Sequence, residues 1–411
     1  AARELERSPA ALRWAVAALR QRELRRAEQG ERAHQQDSDR FELGRFVDKI
    51  RRRDVAIGGL GLEREVVDRK LRTLTHQGLR QERNARRIRR ELQQLRFAEL
   101  DRDQPVAPAR KVDVLLVMPP PWGVDKPPLG AAFLAQYLRS HDVSVELWDL
   151  NVQFHNAALG TPLERLWAID AATETTPVQA YRAFFEVYHR QMEVLAERAL
   201  RADIPIIGIS TNFRNHPIGA SFARLVKQQD PQRLTIYGGP EAFVQVSAGE
   251  YSDPYVDLYA LGEGEEMLLE IARRHLSGGS LDDIPGVYRP GFTGTPTLRE
   301  PPRDLDAIPF PTYSGLELAD YESVQLPFLF SRGCINRCAY CMDHVLSPRY
   351  RCRSGEHAVA EMEHHIAHHD CRLFNFNDLV CNGDLRKLAS LAELIVKRGL
   401  DVVWWSYATI R

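Results

Sequence analysis

The sequence predicts an α/β protein in three parts: a helical N-terminal region, a doubly wound parallel sheet, and the first half of a β/α barrel. Three observations lead to this prediction. Apolar residues recur at helical spacing in residues 1–104. From Lys111 onward, short apolar runs alternate with amphipathic stretches, which is typical of parallel strands joined by helices. The same alternation resumes after a proline-rich segment and continues to the end of the chain.

The composition is that of a globular chain without a membrane span or a secretion signal. The 411 residues are 44% hydrophobic and 27% charged, and no uncharged apolar run reaches the length of about 18 residues that a membrane helix needs. All six cysteines lie from Cys334 onward, too few for a disulfide framework in so long a chain. We therefore expect a cytoplasmic protein with no membrane partner. The chain starts without Met and stops in mid-pattern, so we expect a fragment.

Residues 1–104 are predicted to be a basic helical N-terminal region. Residues 1–110 carry 27 Lys and Arg against 18 Asp and Glu, whereas the remainder carries 28 against 38. The arginine-rich run 86–90 suits either a phosphate-binding patch or a solvated helix face that packs against acidic surface. Because no aromatic side chains interleave these arginines, we favour the second interpretation and do not expect nucleic acid as a partner.

Residues 111–290 are predicted to be a Rossmann-like domain. Its elements are expected as strand 111–118, helix 130–140, strand 143–148, a helical excursion 162–202, strand 204–210, helix 219–229, strand 234–237, strand 258–261 and helix 265–276. Doubly wound sheets bind ligands outside the carboxyl ends of their strands. The loops that follow the strands are therefore candidate binding loops.

Residues 291–325 are predicted to be a linker, and residues 326–411 an incomplete barrel. The proline-rich segment 301–311 breaks helix and strand alike. Barrel elements are expected as strand 327–330, helix 356–369, strand 372–377, helix 385–398 and strand 402–407. Parallel barrels carry their chemistry at the carboxyl ends of the strands, so the loop after the first strand is the main candidate site.

That loop contains Cys334, Cys338 and Cys341 in the spacing C-x-x-x-C-x-x-C. Three cysteines on one loop can ligate three irons of a cubane cluster and leave the fourth iron without a protein ligand. The alternatives are a zinc site or buried thiols, but zinc sites favour paired C-x-x-C arms and the sequence has no second arm. With the aromatic Tyr340 before the third cysteine, the motif resembles the signature of the radical S-adenosylmethionine (SAM) enzymes.

This resemblance implies roles for five residues. Cys334, Cys338 and Cys341 would be the catalytic and metal-binding residues, holding a 4Fe-4S cluster whose open iron chelates SAM. One electron from a donor such as flavodoxin or ferredoxin then cleaves SAM to methionine and a 5'-deoxyadenosyl radical. Tyr340 would lie beside the adenine of SAM. Asp378 would lie near the methionine amino group, with a plain helix-capping role as its alternative.

The loops after the strands of residues 111–290 resemble the cobalamin-binding domain that precedes many radical SAM domains. The resemblance implies these cofactor-binding candidates: Pro119, Pro120, Asp149, Ser210, Thr211, Gly238, Gly239, Glu241 and Gly262. Taken singly, the two adjacent glycines suit a turn, and Asp149 and Ser210 suit helix caps. The loop after residue 118 contains no histidine. We therefore expect cobalamin without a histidine on cobalt, or a degenerate domain that binds nothing.

Three functions from different classes follow. The first is a cobalamin-dependent radical SAM methyltransferase acting on an unactivated centre of a small metabolite or peptide. The second is a radical SAM enzyme of a non-methylating rearrangement or cyclisation. The third is a non-catalytic metal-binding protein that interacts with nucleic acid, which the open metal position disfavours. Cys352, Cys371 and Cys381 match no second cluster pattern and are expected to pack in the core.

Overall fold

The structure is a computed structural model that describes residues 111–168, 176–249, 253–323, 325–339 and 341–410, together with six positions between 86 and 97. The chain divides into two compact units, Ala1–Ile88 and Arg89–Arg411. Nearly all of the first unit, and with it the predicted helical N-terminal region, lies outside the described residues. No helix in the described part is both long and apolar enough to cross a membrane.

The second unit contains a six-stranded sheet. Its strands are β1 (Val114–Met118), β2 (Val145–Asp149), β3 (Ile206–Ser210), β4 (Leu234–Gly238), β5 (Leu258–Ala260) and β6 (Val287–Tyr288). They are ordered β2-β1-β3-β4-β5-β6, and every pairing is parallel except that of β5 with β6. Strand β1 is buried along its whole length. Burial on both faces explains why its sequence is a continuous apolar run.

Helices cover both faces of this sheet. They are α1 (Leu129–Arg139), α2 (Leu150–Ala158), α3 (Pro177–Arg201), α4 (His216–Gln229), α5 (Pro240–Ala248) and α6 (Glu265–Leu276). Helices α1 and α6 contribute Leu138 and Ile271 to the core on one face. Helices α2, α3 and α4 contribute Phe154, Phe184 and Phe222 to the core on the other. The predicted doubly wound parallel sheet is confirmed.

Two helices that the sequence prediction missed lie where candidate binding loops were expected. Helix α2 follows Asp149, whose carboxylate accepts a hydrogen bond from the N–H of Val152. Asp149 is therefore a helix cap, the role that the sequence also allowed. Helix α5 begins at Pro240, directly after Gly239, and has Glu241 in its first turn. A Gly-Gly-Pro sequence suggests a turn, although proline is also favourable at the first position of a helix.

The remaining elements form the predicted beginning of the barrel. They are β7 (Leu326–Phe328), β8 (Ser331–Arg332), α7 (Asp343–Leu346), β9 (Arg351–Cys352), α8 (Gly355–His369), β10 (Leu373–Phe376), α9 (Leu385–Lys397) and β11 (Val403–Trp405). Strands β7, β10 and β11 form a parallel sheet in the order β11-β10-β7. Strands β8 and β9 pair antiparallel beside it. This two-residue pairing is too short to leave a periodic signal in the sequence.

The three cysteines outside the motif pack as expected. Cys371 and Cys381 are buried in the core of the barrel portion, together with Phe328 and Phe374. Cys352 is half-buried and packs against the same core. Burial raises the pKa of the Cys352 thiol to about 12 and that of Cys371 to about 11, so both thiols stay protonated at neutral pH.

Candidate active site

One cavity of about 480 Å³ extends from the carboxyl edge of the six-stranded sheet to strand β8. Four predicted site residues line it from the sheet side, namely Ser210, Gly238, Gly239 and Gly262. The opposite wall includes Ser331, Arg332, Gly333 and Asn377 from the barrel portion. Because Cys334 follows Gly333 directly, the cavity reaches the start of the cysteine loop. The structure thus brings the predicted cobalamin edge and the predicted cluster loop to one space.

The two adjacent glycines at the end of β4 have different roles. A Cβ atom added at Gly238 would meet nothing within 4 Å, so this residue leaves open space on the cavity side. Gly239 has φ +95°, and a Cβ atom there would lie 2.4 Å from the backbone oxygen of Thr211. Gly239 is therefore required by close packing of the chain itself, whereas Gly238 leaves room for a ligand.

Five other predicted cobalamin-binding residues are not among the residues that line the cavity: Pro119, Pro120, Asp149, Thr211 and Glu241. The Asp149 carboxylate is buried and accepts a 2.6 Å hydrogen bond from the Tyr321 hydroxyl. Burial raises the pKa of Asp149 to about 6, although the hydrogen bond from Tyr321 works in the opposite direction. Asp149 thus links the segment before the barrel to the edge of the large sheet.

Thr211, Pro119 and Glu241 make contacts that shape the loops around the cavity. The N–H and hydroxyl groups of Thr211 both donate to the carbonyl oxygen of Gly238, at 2.7 and 2.9 Å. The carbonyl oxygen of Pro119 accepts a 3.1 Å hydrogen bond from the Asn215 side chain. Glu241 Oε1 lies 3.4 Å from Gln245 Nε2, within helix α5. A direct contact of these residues with cobalamin stays a prediction.

The cysteine motif begins two residues after strand β8. Cys334, Cys338 and Cys341 are all free and partly exposed. The N–H of Asn336 points at Cys334 Sγ from 3.4 Å, and the N–H of Cys341 donates to the Cys338 carbonyl at 3.0 Å. Among the residues that the structure describes, no three Cys, His, Asp or Glu side chains are placed to hold a metal ion. Tyr340 lies outside the described residues, so its predicted adenine contact stays a prediction.

The chemistry of this loop nevertheless fits an iron-sulfur cluster. Three unpaired thiols are the donors that such clusters use, and an N–H directed at a cysteine sulfur is a hydrogen bond that a ligating thiolate accepts. Cysteine ligands lose their protons when they bind a metal, so metal binding is coupled to the conformation of the loop that carries them. The three cysteines thus supply the donor set that a 4Fe-4S cluster with one open iron needs.

Asp378 supports the strand that leads into the cysteine loop. Its carboxylate accepts a 3.0 Å hydrogen bond from the Phe330 N–H and further hydrogen bonds from the N–H and hydroxyl of Ser331. Burial raises the pKa of Asp378 to about 6, although these hydrogen bonds act to lower the pKa. The neighbouring Asn377 lines the cavity instead. The alternative of a helix cap is wrong, because Asp384 caps α9; the predicted role beside SAM stays a prediction.

A buried ion-pair network next to the cysteine loop was missed by the sequence prediction. The Arg332 guanidinium contacts Glu263 at 2.8 Å and Glu265 at 2.5 Å. Arg351 also pairs with Glu263 and donates to the carbonyl oxygen of Pro302 at 2.6 Å. Burial favours a higher pKa for Glu263, but hydrogen bonds and charge from both arginines hold it below the usual range. The two closely spaced glutamates of the Gly-Glu-Gly-Glu sequence at 262–265 were the only local sequence feature that could have pointed to these ion pairs.

Comparison with known proteins gives distant relatives. No family model matches the chain. It is 28% identical over 193 residues to an anaerobic magnesium-protoporphyrin IX monomethyl ester cyclase of Rubrivivax gelatinosus, covering 44% of this chain and 34% of the relative. It is 29% identical over 171 residues to a hopanoid C-3 methylase of Methylococcus capsulatus, covering 38% and 32%. The chain thus spans about a third of the length of these curated relatives.

A solved structure shares the fold. The radical S-adenosylmethionine methyltransferase TsrM from Kitasatospora setae, solved with cobalamin and a [4Fe-4S] cluster bound, superposes with a TM-score of 0.50 at 16% identity. The match covers 73% of this chain and 55% of TsrM. Together with the curated relatives, it confirms the predicted resemblance to cobalamin-binding-domain-containing radical SAM enzymes and the predicted α/β fold class.

Proposed function

We propose that this chain carries the cofactor-binding half of a radical SAM enzyme, with a 4Fe-4S cluster on Cys334, Cys338 and Cys341, SAM on its open iron, and cobalamin at the carboxyl edge of the six-stranded sheet. The observation that carries this proposal is a cavity lined by both Gly238 and Gly333, the residue directly before the first cysteine. Group transfer between two cofactors requires that both reach one space in a suitable relative orientation.

The residues of the chain bind and orient, while the cofactors supply the radical and methyl-transfer chemistry. Gly238 leaves room above strand β4 for a bulky cofactor, and Leu129, Phe133 and Leu268 give the cavity an apolar wall. Asn377 offers an amide at the barrel side of the cavity, where polar groups of SAM are expected to bind. Asp378 holds the strand that leads into the cysteine loop.

The reaction we favour is methyl transfer to an unactivated centre of a small metabolite or peptide. The methylase relative from Methylococcus capsulatus and the shared fold with TsrM support this proposal. The cyclase relative from Rubrivivax gelatinosus favours a second candidate, a non-methylating cyclisation or rearrangement on the same cofactors. Reductive cleavage of SAM needs one electron in both cases, for which we propose a flavodoxin or ferredoxin as the partner.

Anaerobic reconstitution with iron and sulfide tests the cluster assignment. We expect uptake of about four irons per chain and the visible absorbance of a 4Fe-4S cluster. Replacing Cys334, Cys338 and Cys341 with Ala is expected to abolish both signals, because these thiolates are the proposed ligands.

The half-buried Cys352 provides the matched control. The variant Cys352→Ala is expected to keep the iron content and absorbance of the unaltered chain. Equal loss of iron from this variant, or full iron uptake by the triple variant, would show that the ligands are wrongly assigned.

A further inference from the structure

The ion-pair network of Arg332, Arg351, Glu263 and Glu265 links two segments that lie far apart in the sequence. Arg332 and Glu265 are separated by 67 positions and Arg351 and Glu263 by 88. The four side chains are only 6 to 13% exposed. Two positive and two negative charges balance within the network, so no buried charge lacks a partner. A buried network of this kind holds its two segments in one relative position.

The geometry explains why two arginines converge on one carboxylate. Arg332 and Arg351 face each other across the pairing of β8 with β9, so both guanidinium groups extend towards Glu263. The second Nη atom of Arg332 contacts Glu265, the first residue of helix α6. One planar guanidinium thus bridges two carboxylates on the 262–265 turn, which a lysine ammonium cannot do in the same way.

The same arginine is coupled to the cysteine loop through the backbone. Gly333, with φ +81°, is the one residue between Arg332 and Cys334. A Cβ atom at Gly333 would lie 2.2 Å from the backbone oxygen of Arg349, so this glycine is packed tightly against the chain. Asp378 holds Ser331 on the other side of Arg332. A displacement of Arg332 would therefore be transmitted to Cys334, because the backbone between them is tightly packed.

We propose that Arg332 is a positioning residue that couples binding of the cluster at Cys334 to the stability of the 262–265 turn, and hence to the shape of the cavity that Arg332 and the turn both line. Gly262, Glu263, Gly264 and Glu265 all line this cavity. Arg332 already contacts both carboxylates of the turn. Loading of the cluster would hold Cys334 and, through Gly333, favour this arrangement over local opening of the turn. The inference rests on the proposed ligation of a cluster by the cysteine loop.

Hydrogen–deuterium exchange of the cluster-loaded and cluster-free chain tests this coupling. In the unaltered chain, cluster loading is expected to slow exchange at the amides of the 262–265 turn by about fivefold or more, the usual size of coupling between two sites. In Arg332→Gln the residue nearest to Cys334 loses its ion pairs with the turn, and only Arg351 on β9 still contacts Glu263. Loading is therefore expected to leave exchange at the turn unchanged within about twofold. Arg332→Lys, which keeps the charge, is expected to lose most of the effect and guards against misfolding of the Gln variant.

Arg349→Gln is the matched control. Arg349 lies on the same segment and pairs with Glu300, but both side chains are more than half exposed and the pair lies outside the network. This variant is expected to keep the protection of the unaltered chain. Protection of the turn in Arg332→Gln, or its absence in the iron-loaded unaltered chain, would overturn the coupling. Iron content measured on the same samples separates the failures, since absence of iron uptake contradicts the proposed function itself.

The affinity for hydroxocobalamin provides a second readout. If the turn shapes the cavity, the dissociation constant of the unaltered chain should be about fivefold or more lower with the cluster than without it. In Arg332→Gln the two constants are expected to agree within about twofold. A cluster effect of full size in that variant would contradict the role of Arg332.

Discussion

At the scale of single residues, the buried contact between Asp149 and Tyr321 shows how a predicted ligand can serve the fold instead. The folded-state pKa of Asp149 is raised from 3.8 to about 6, mainly by burial. A raised carboxyl pKa means that the folded state favours the neutral acid, so its contribution to stability is greatest below about pH 4 and declines as the pH rises to about 6. Above that pH, the Tyr321 hydroxyl donates to a buried carboxylate.

We expect Tyr321→Phe to be more destabilising at neutral than at acidic pH. Loss of a hydrogen bond to a charged group costs about 2 kcal/mol, against about 1 kcal/mol for a neutral group. The free energy of unfolding should therefore fall by about 2 kcal/mol at pH 7.5 and by about 1 kcal/mol at pH 4.5. Denaturant titrations at the two pH values measure both numbers.

Tyr313→Phe is the control for this comparison. The Tyr313 hydroxyl is also buried, but it donates to the neutral carbonyl oxygen of Pro327 at 3.2 Å. Its loss is expected to cost the same at both pH values. A pH-independent effect of Tyr321→Phe would show that Asp149 does not titrate in this range.

At the scale of elements, the turn from β4 into α5 contains one glycine that the fold requires, Gly239, and one that leaves room for a ligand, Gly238. Gly239→Ala forces a Cβ atom against the Thr211 backbone at positive φ, and is expected to lower the free energy of unfolding by about 1–3 kcal/mol. Gly238→Ala places a methyl group in open space, so the change in stability is expected to stay within about 0.5 kcal/mol.

Gly238→Ala, which should leave stability almost unchanged, is expected to weaken cobalamin binding. Its added methyl group would protrude where cobalamin is proposed to lie, and we expect the affinity for hydroxocobalamin to fall by at least about tenfold. Denaturation and a binding titration on the same Gly238→Ala sample measure both effects. Unchanged affinity would remove Gly238 from the cobalamin site.

The elements that the sequence predicted well are those with a strong periodic signal. Strand β1 is buried on both faces, so its sequence is apolar throughout. Helix α6 is buried on one face, so its apolar residues recur at helical spacing along the whole helix. Helices α2 and α5 were missed because Asp149 and the Gly-Gly-Pro sequence also suit loops, and tertiary packing decides between the two. The paired strands β8 and β9 are too short to leave any pattern.

At the scale of the whole molecule, the candidate site was predictable where a local motif defines it. The three cysteines lie within eight residues of sequence, and Gly238 and Gly239 at the end of β4 are neighbours, so their chemistry could be inferred directly. The ion pairs of Arg332 could not, because their partners lie 67 and 69 positions away and only the fold brings them together. Likewise, nothing local in the sequence shows that Asp149 faces Tyr321 and not the cavity.

Cobalamin is proposed to bind at the carboxyl edge of the large sheet without a histidine on cobalt. Among the described residues that line the cavity, none is a histidine, and the loop after β1 contains none either. Bound cobalamin is therefore expected to have no protein nitrogen as a lower ligand. We also predict that its tail base is displaced from cobalt, with the tail lying along the sheet edge where Gly238 leaves open space.

Electron paramagnetic resonance of the bound cofactor in its Co(II) form tests this claim most directly. We predict that the chain binds hydroxocobalamin and that the spectrum of the Co(II) form shows no splitting from an axial nitrogen. A clear nitrogen splitting would contradict the ligand assignment, and failure to bind cobalamin at all would contradict the site.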